Sequence, residues 1–394
     1  MNRLLWGGAC AILCGGLAGI EAQPRGCNAP MASPSAEIEL PSNPFAVKPS
    51  ADGCWLFVSL TDPQPGIAVL KRLQGRIEVM RVVKVAPPPT GIALTHDGQL
   101  LLAAADNTVL VLDVARMISG AKDPLLGKFS GRQFLESIYV NVTADDRLLF
   151  VSEERAASIT VIDLEKARAN GFQDDAIIGT IPVGIAPIAL TFSSDGKWLY
   201  TTSELAAPPW NWPGACKPEG PRHATELVNP EGAVVVVDVA RARVDPAQAV
   251  AARIPAGCSA VRMAISPDGR RIYVTARNSN AVVAFDTAKL VMDPDHSRVA
   301  MAAVGTAPVP VAVIDGGKKV VAGNSNRFAG GNAPQTLTVL DTAKMEQKGA
   351  EAVVGTIPAG VFPRELSVSA DGHTLFLTNA GSRSIQVIDI DRLP

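Results

Sequence analysis

The phrase "SPDG" at residues 266 to 269 returns in degenerate form along the chain, and this repetition limits the possible folds more than any other feature. The other copies are "SADGC" at Asp52, "THDGQ" at Asp97, "TADDR" at Asp145, "SSDGK" at Asp195, "IDGGK" at Gly316 and "SADGH" at Asp371, seven in all. The chemistry of the phrase is that of a tight hairpin. Pro267 presets the φ of the first central position, Asp268 can bond its own backbone, and Gly269 can take the left-handed conformation that closes a three-residue loop. The runs "RRIYVT" and "AVVAF" that follow are rich in β-branched and aromatic residues, as a pleated buried sheet requires. Each unit therefore reads as an antiparallel meander.

Aligning the copies on the turn produces columns. Five positions after the anchor the second strand reads FVSL, LAAA, FVSE, YTTS, YVTA, VAGN and FLTN. The third strand ends in Asp at Asp113, Asp163, Asp238, Asp286, Asp341 and Asp389, with Lys71 in the first copy. Eight residues before the anchor stand Pro44, Pro89, Pro187, Pro308 and Pro363, with Ser137 and Ala260 in the other two. Anchors are 45 to 55 residues apart, except for 73 between Asp195 and Asp268. A period of this length with several short strands predicts propeller blades. The expectation is one all-β domain over residues 23 to 394, a seven-bladed β-propeller of four-stranded antiparallel blades. The last copy stops one strand short at "SIQVIDIDRLP", and "AEIELPSNPF" near the N-terminus matches the blade-joining phrase "GTIPVGIAPI". A strand near Glu37 to Leu40 is thus expected to complete the last blade and close the ring.

The phrase "SPDGRRIYVT" resembles the repeat of the YVTN family of bacterial β-propellers, and degenerate copies cover nearly the whole chain after residue 22. The resemblance is specific for fold. It implies a range of roles, from surface and binding modules to lactonase-like enzymes and redox-protein propellers, so function must be argued from the site. Composition agrees with many short apolar strands and turns: 47% hydrophobic, 19% charged, 34 Gly and 30 Pro.

Arg3, the apolar run Leu4 to Ile20 and a small-residue cleavage point after Ala22 read as a secretory signal peptide over residues 1 to 22. Export to the periplasm or medium is expected, with no membrane insertion after cleavage. Four cysteines then remain, Cys27, Cys54, Cys216 and Cys258, and an oxidising compartment favours disulfides. In a propeller, loops joining second to third strands open on the same face as loops joining blades. Cys216 belongs to the first kind and Cys258 to the second, which predicts a Cys216–Cys258 bond, while the pairing of Cys27 and Cys54 stays open.

Little in the sequence suggests chemistry. His96 and His373 fall in hairpin turns, His296 follows a third strand, and His223 lies in a long insertion, with no metal-ligand spacing among them. No cofactor is expected. With 36 basic and 38 acidic residues the net charge is −2, which does not point to nucleic acid. The "NVT" triplet at Asn141 sits in an inner strand and reads as a chance sequon. Met263 and Met301 read as core.

Candidate functional residues lie where the copies disagree. Six positions before the anchor stand Ala46, Gly91, Tyr139, Ala189, Arg262, Pro310 and Glu365, at the start of each innermost strand. Tyr139, Arg262 and Glu365, with the adjacent Arg364, are expected to ring the channel mouth. Loops on the same face add Glu153, Glu154, Glu204, Asn278, Asn324, Asn326, Arg327 and Asn379. Arg262 and Glu365 either hold a ligand or form a structural plug. The insertion at residues 203 to 232 carries Trp210 and Trp212, which either recognise a partner or tuck the loop down. These features predict a monomeric binding or scaffold module for a small polar ligand or protein partner. The alternative is a lactonase-like hydrolase using the same mouth.

Overall fold

A computed structural model describes residues 27, 33–73, 76–219, 225–327 and 335–394, and residues 1–22, expected from sequence to be a signal peptide, and His223 lie outside the described residues. Seven four-stranded antiparallel sheets are arranged as blades around an axis. The innermost strands, in blade order, are Pro44–Pro49, Ile92–Leu94, Ser137–Val142, Ile185–Phe192, Ala260–Ile265, Pro308–Ile314 and Pro363–Val368. Each packs against the innermost strands of its neighbours, and Pro44–Pro49 meets Pro363–Val368, so the ring is closed. The outer strand of blade seven is the N-terminal Ser35–Glu39, which pairs with Ser384–Asp389 in the register Ser35 to Ile388 and Glu39 to Ser384.

The turn column folds as its chemistry requires. Gly269 takes φ 71°. The Asp268 carboxylate accepts from the Ser266 hydroxyl and from the Arg270 N–H, and the hydroxyl bond is the main reason its pKa lies below the usual carboxylate value. The same Ser/Thr-x-Asp bond recurs at Asp52, Asp97, Asp145, Asp195 and Asp371. Copy three puts Asp146 at φ 55° in place of Gly, and its carboxylate reaches back to the turn of copy two to accept the N–H groups of His96 and Asp97. Copy six departs from the pattern, forming a short 3-10 turn over Asp315–Gly317.

The third-strand Asp column also has a cause that spacing alone did not reveal. Asp113, Asp163, Asp238 and Asp341 each accept the N–H three residues on, capping the short helices Val114–Ser119, Leu164–Asn170, Val239–Val244 and Thr342–Lys348. These helices hang below the blades and were not foreseen.

A hydroxyl in the second strand ties five of the seven blades to the next. Thr202 donates to Val261 O at 2.7 Å, Thr275 to Val309 O at 2.8 Å, Ser152 to Ile188 O at 3.1 Å and Thr378 to Phe45 O at 3.1 Å; Ser59 donates to Thr90 O. Four of these oxygens, all but that of Ser152, accept inner-strand N–H groups, from Ala46, Ala189, Arg262 and Glu365 in their own blades. Two blades lack the hydroxyl, each for a local reason. In blade six the inner strand offers Pro310, which has no N–H, opposite Gly323. In blade two the Gly91 N–H bonds Ile138 O directly, an approach so close that a Cβ would lie 2.6 Å from that oxygen.

Second strands are buried throughout, as in Leu148–Glu153 and Thr374–Asn379, whereas outer strands are half-exposed. Met263 is core, but Met301 is not: it lies on the outer strand Arg298–Ala303 with 38% exposure. Asn141 is tied down by donation to Leu190 O. Trp210 and Trp212 meet with tilted rings, centroids 5.4 Å apart, and pack on the core, so they fasten the insertion.

Replacing Thr378 with Val keeps shape but leaves the Glu365 N–H and Phe45 carbonyl without this partner at the blade seven to blade one seam. A loss of about 1–3 kcal/mol in urea unfolding is expected, and an unchanged midpoint would show that the strap carries no stability.

Candidate functional site

Most innermost strands begin with a register shift against their partners, between Pro44 and Val47, Ser137 and Tyr139, Pro187 and Leu190, Ala260 and Met263, Pro308 and Val311, and Pro363 and Glu365. Such a bulge re-aims side chains, so two consecutive residues can face the axis. One is the column six before the anchor. The other, seven before, holds Phe45, Thr90, Ile138, Ile188, Val261, Val309 and Arg364. All of this second column except Thr90 lines a funnel of about 260 Å³ on the upper face. Reading the same alignment one position earlier would have found this wall.

The funnel rests on a polar plug. Tyr139 donates its hydroxyl to the Glu365 carboxylate, Lys48 Nζ stands 3.1 Å from Glu365 Oε1, and Arg262 reaches Glu365 only at 3.9 Å. The Lys48 ammonium is at ion-pair distance but not aligned for a hydrogen bond. The Arg262 guanidinium lies over the Tyr139 ring, its Cζ 3.8 Å from the centroid. Burial pushes the Tyr139 hydroxyl well above its ordinary pKa, so it remains a donor. Below the plug a second chamber of about 140 Å³ is lined by Lys48, Asn141, Thr191 and the underside of Arg262. The plug was foreseen as an Arg262 to Glu365 pair; Tyr139 and Lys48 are the nearer partners.

Above the plug the charges divide into satisfied and unsatisfied. Arg277, 4% exposed, holds Glu204 at 2.7 and 2.9 Å and binds Glu219 of the insertion through two nitrogens. Burial pulls its pKa down, but hydrogen bonds to Glu219 and Glu204 outweigh this and hold it above its ordinary value. Together with the Cys216–Cys258 disulfide, Cα atoms 5.6 Å apart, this cluster clamps the insertion to the rim. Arg364 is different. Its guanidinium lies 4.0 Å from the Phe45 ring centroid and 5.2 Å from that of Phe362, and among the described residues no carboxylate is at ion-pair distance. By accessible surface it is half-buried, yet protein encircles it, and desolvation with repulsion from Arg262 pushes its pKa down to about 10. It remains a cation at neutral pH. Glu154 is its counterpart: burial, then repulsion from Glu204 and Glu136, raises its pKa. Arg327 completes the rim.

Of the expected mouth residues, Tyr139, Glu204, Arg262, Arg327, Arg364 and Glu365 meet at the axis. Glu153 and Asn324 do not. Glu153 turns into blade three, fully buried, and accepts from the Ser137 hydroxyl at 2.8 Å and the Leu135 N–H at 3.0 Å. Asn324 is buried between the hydroxyls of Thr336 and Thr338, 2.9 Å from each. Asn379 is buried likewise, and Asn278 donates to Lys217 O. Lys48 and Arg277 were missed because neither falls in a column where a departure stands out. His96, His296 and His373 sit on the surface beside Asp146, Asp293 and Asp391. Among the described residues no group of His, Cys, Asp and Glu is placed to hold a metal. Cys27 pairs with Cys54, answering the open pairing. Two disulfides suggest an oxidising location outside the cytoplasm, and no described helix is long and apolar enough to cross a membrane.

No protein-family model matches the sequence, and no curated protein does. Among solved structures the chain is similar to the Kuenenia stuttgartiensis hydrazine synthase, with a TM-score of 0.66 over 90% of this chain and 97% of that one. Identity is 18%, so the likeness is one of fold.

Two measurements follow from the plug and from Glu153. Glu365→Ala strands Lys48 and Arg262 in the axis and is expected to cost about 3–5 kcal/mol. Arg262→Ala leaves Glu365 its nearer partners and forfeits mainly the Tyr139 stacking, about 2 kcal/mol. Equal losses in denaturant melts would show instead that Arg262 and Glu365 act as one pair. Desolvation outweighs the two hydrogen bonds to Glu153 and raises its carboxyl to about 7. The unfolded chain gives up this proton near pH 4.5 while the folded chain keeps it, so the group's contribution to stability falls as pH rises from about 4.5 to about 7, by roughly 3 kcal/mol. Glu153→Gln should flatten that part of the stability profile, and an unaltered slope would contradict the assignment.

Proposed function

We propose that this chain is an exported binding module of the YVTN propeller type, whose upper funnel takes a small anionic ligand on Arg364 and Arg262. One observation carries the reading: Arg364 is the sole charge in a sevenfold column of otherwise apolar or hydroxyl residues, and it has no carboxylate partner among the described residues. A ring of repeats needs no cation there for folding, since the other six blades do without one. Desolvating a guanidinium without compensation is unfavourable, and an incoming carboxylate or phosphate supplies what is missing. Arg262, 8% exposed with no partner for its Nε, adds a second donor to the same floor. The two disulfides support export, and the completeness of the funnel within one chain supports a monomeric working unit.

Glu154 favours a second reading. A carboxylate made more basic, on the same funnel as Arg364, could activate water against a carbonyl polarised by the guanidinium, which is hydrolase chemistry.

Thermal melting with small mono-, di- and tricarboxylates, inorganic phosphate and lactones separates the readings. A bound anion at a hundred times its Kd should stabilise the wild type by about 2.7 kcal/mol, and Arg364→Ala should lose this response while keeping the fold. Equal responses in wild type and variant would overturn the assignment to Arg364. Ring opening of a lactone that depends on Glu154 would replace binding by hydrolysis.

A further inference from the structure

We infer that the ligand is a zwitterion of the amino-acid class, its carboxylate on Arg364 and Arg262 and its ammonium on Glu154. The inference rests on the funnel being a ligand site, and it adds the second charge.

Arg364 and Glu154 line one cavity, and among the described residues neither makes an ion pair or a side-chain hydrogen bond with any neighbour. Opposite charges in one small space would gain by meeting, yet these two are held apart. Arg364 is fixed by the bulge that starts the inner strand of blade seven and by its stacking on Phe45. Glu154 is fixed by its N–H, which bonds Glu136 O at the top of blade three. The other acids of the wall are already engaged, Glu204 with Arg277 and Glu136 with Arg155 at 3.5 Å. Of the wall's acids, Glu154 alone is left to receive a cation, and its acidic neighbours add to the local negative potential.

The floor points to the other end of the molecule. Arg262 is nine-tenths buried, lines the funnel, and has a buried Nε–H without an acceptor. Arg364 Nε is in the same condition. Two planar donor sets, each with an unused N–H, suit the two oxygens of a carboxylate. Between floor and acid lie Ile138, Ile188, Val261 and Val309, an apolar girdle for a short aliphatic or aromatic body. A simple anion leaves Glu154 uncompensated, and a simple cation leaves the two guanidiniums so. A molecule bearing both groups satisfies the cavity at both ends.

The test uses the full mature chain and isothermal titration at neutral pH with the common L-amino acids, their amides and their N-acetyl derivatives. At least one amino acid is expected to bind, with its amide and its N-acetyl form each weakened tenfold or more. Glu154→Gln should weaken the amino acid about tenfold and leave the N-acetyl acid unchanged, whereas Arg364→Gln should weaken both. If the N-acetyl acid binds wild type as tightly as the amino acid, the funnel is an anion site alone: the inference fails and the proposed function stands. If neither amino acids nor N-acetyl acids bind at millimolar concentration and the carboxylate and phosphate melts are also silent, both fail. Should the Glu154→Gln chain fail to fold, Glu154→Asp, which keeps the charge, is expected to retain preference for the amino acid over its N-acetyl form, and loss of that preference would count against the inference.

Discussion

The hydroxyl strap between neighbouring blades is the contact on which the rest of the molecule depends. Four of the five strap oxygens, those of Ser59, Thr202, Thr275 and Thr378, take an N–H from the start of their own inner strand, and all five give their proton to a carbonyl in the next blade. The acceptor carbonyls belong to Phe45, Thr90, Ile188, Val261 and Val309, which are funnel-column residues. Joining the blades and setting the funnel wall are therefore one act. A buried hydroxyl with both functions used is favourable; one left half-used in the same place is costly. That asymmetry explains why the two blades without the hydroxyl also lack the need for it, through Pro310 and Gly91.

Those columns made the fold legible. Turn, second strand, third-strand Asp and inner-strand start each repeat because each answers the same local demand in every blade. The site was legible only as deviation from them: Tyr139, Arg262 and Glu365 stood out in a column otherwise small or Pro. Glu153 and Asn324 misled because a position at the top of a second strand can turn into the blade as readily as toward the axis. In Asn324 the turn inward has a visible reason, since Gly305 leaves room for its amide and two Thr hydroxyls receive it. Lys48 was illegible for the opposite reason: it lies two residues past its column, and a long flexible stem carries its charge back to Glu365. Arg277 was hidden because its two partners come from a strand end and an insertion that no repeat governs.

Charge in the axis is arranged in tiers. At the bottom Glu365 collects Tyr139, Lys48 and Arg262; at the rim Arg277 collects Glu204 and Glu219. Each tier compensates its buried charges locally, which is what makes them tolerable in a desolvated setting. Arg364 and Glu154 lie between the tiers and belong to neither. Aromatic rings soften the cost for the cation, since Phe45 and Phe362 offer their faces to it, but no such face serves Glu154.

Arg364 and Glu365 stand on blade seven, the one sheet whose four strands come from both ends of the chain. Their strand begins at the seam where Thr378 reaches Phe45, the same Phe45 whose ring lies under Arg364. Whatever opens that seam moves the funnel floor, and whatever fills the floor holds the seam shut. A ligand held by Arg364, as proposed, would favour the closed ring over any form with the N-terminal strand detached, because only the closed ring presents Phe45, Arg262 and Arg364 together. The funnel floor thus draws its rigidity from ring closure, and on the proposed function closure in turn would gain from a ligand on that floor.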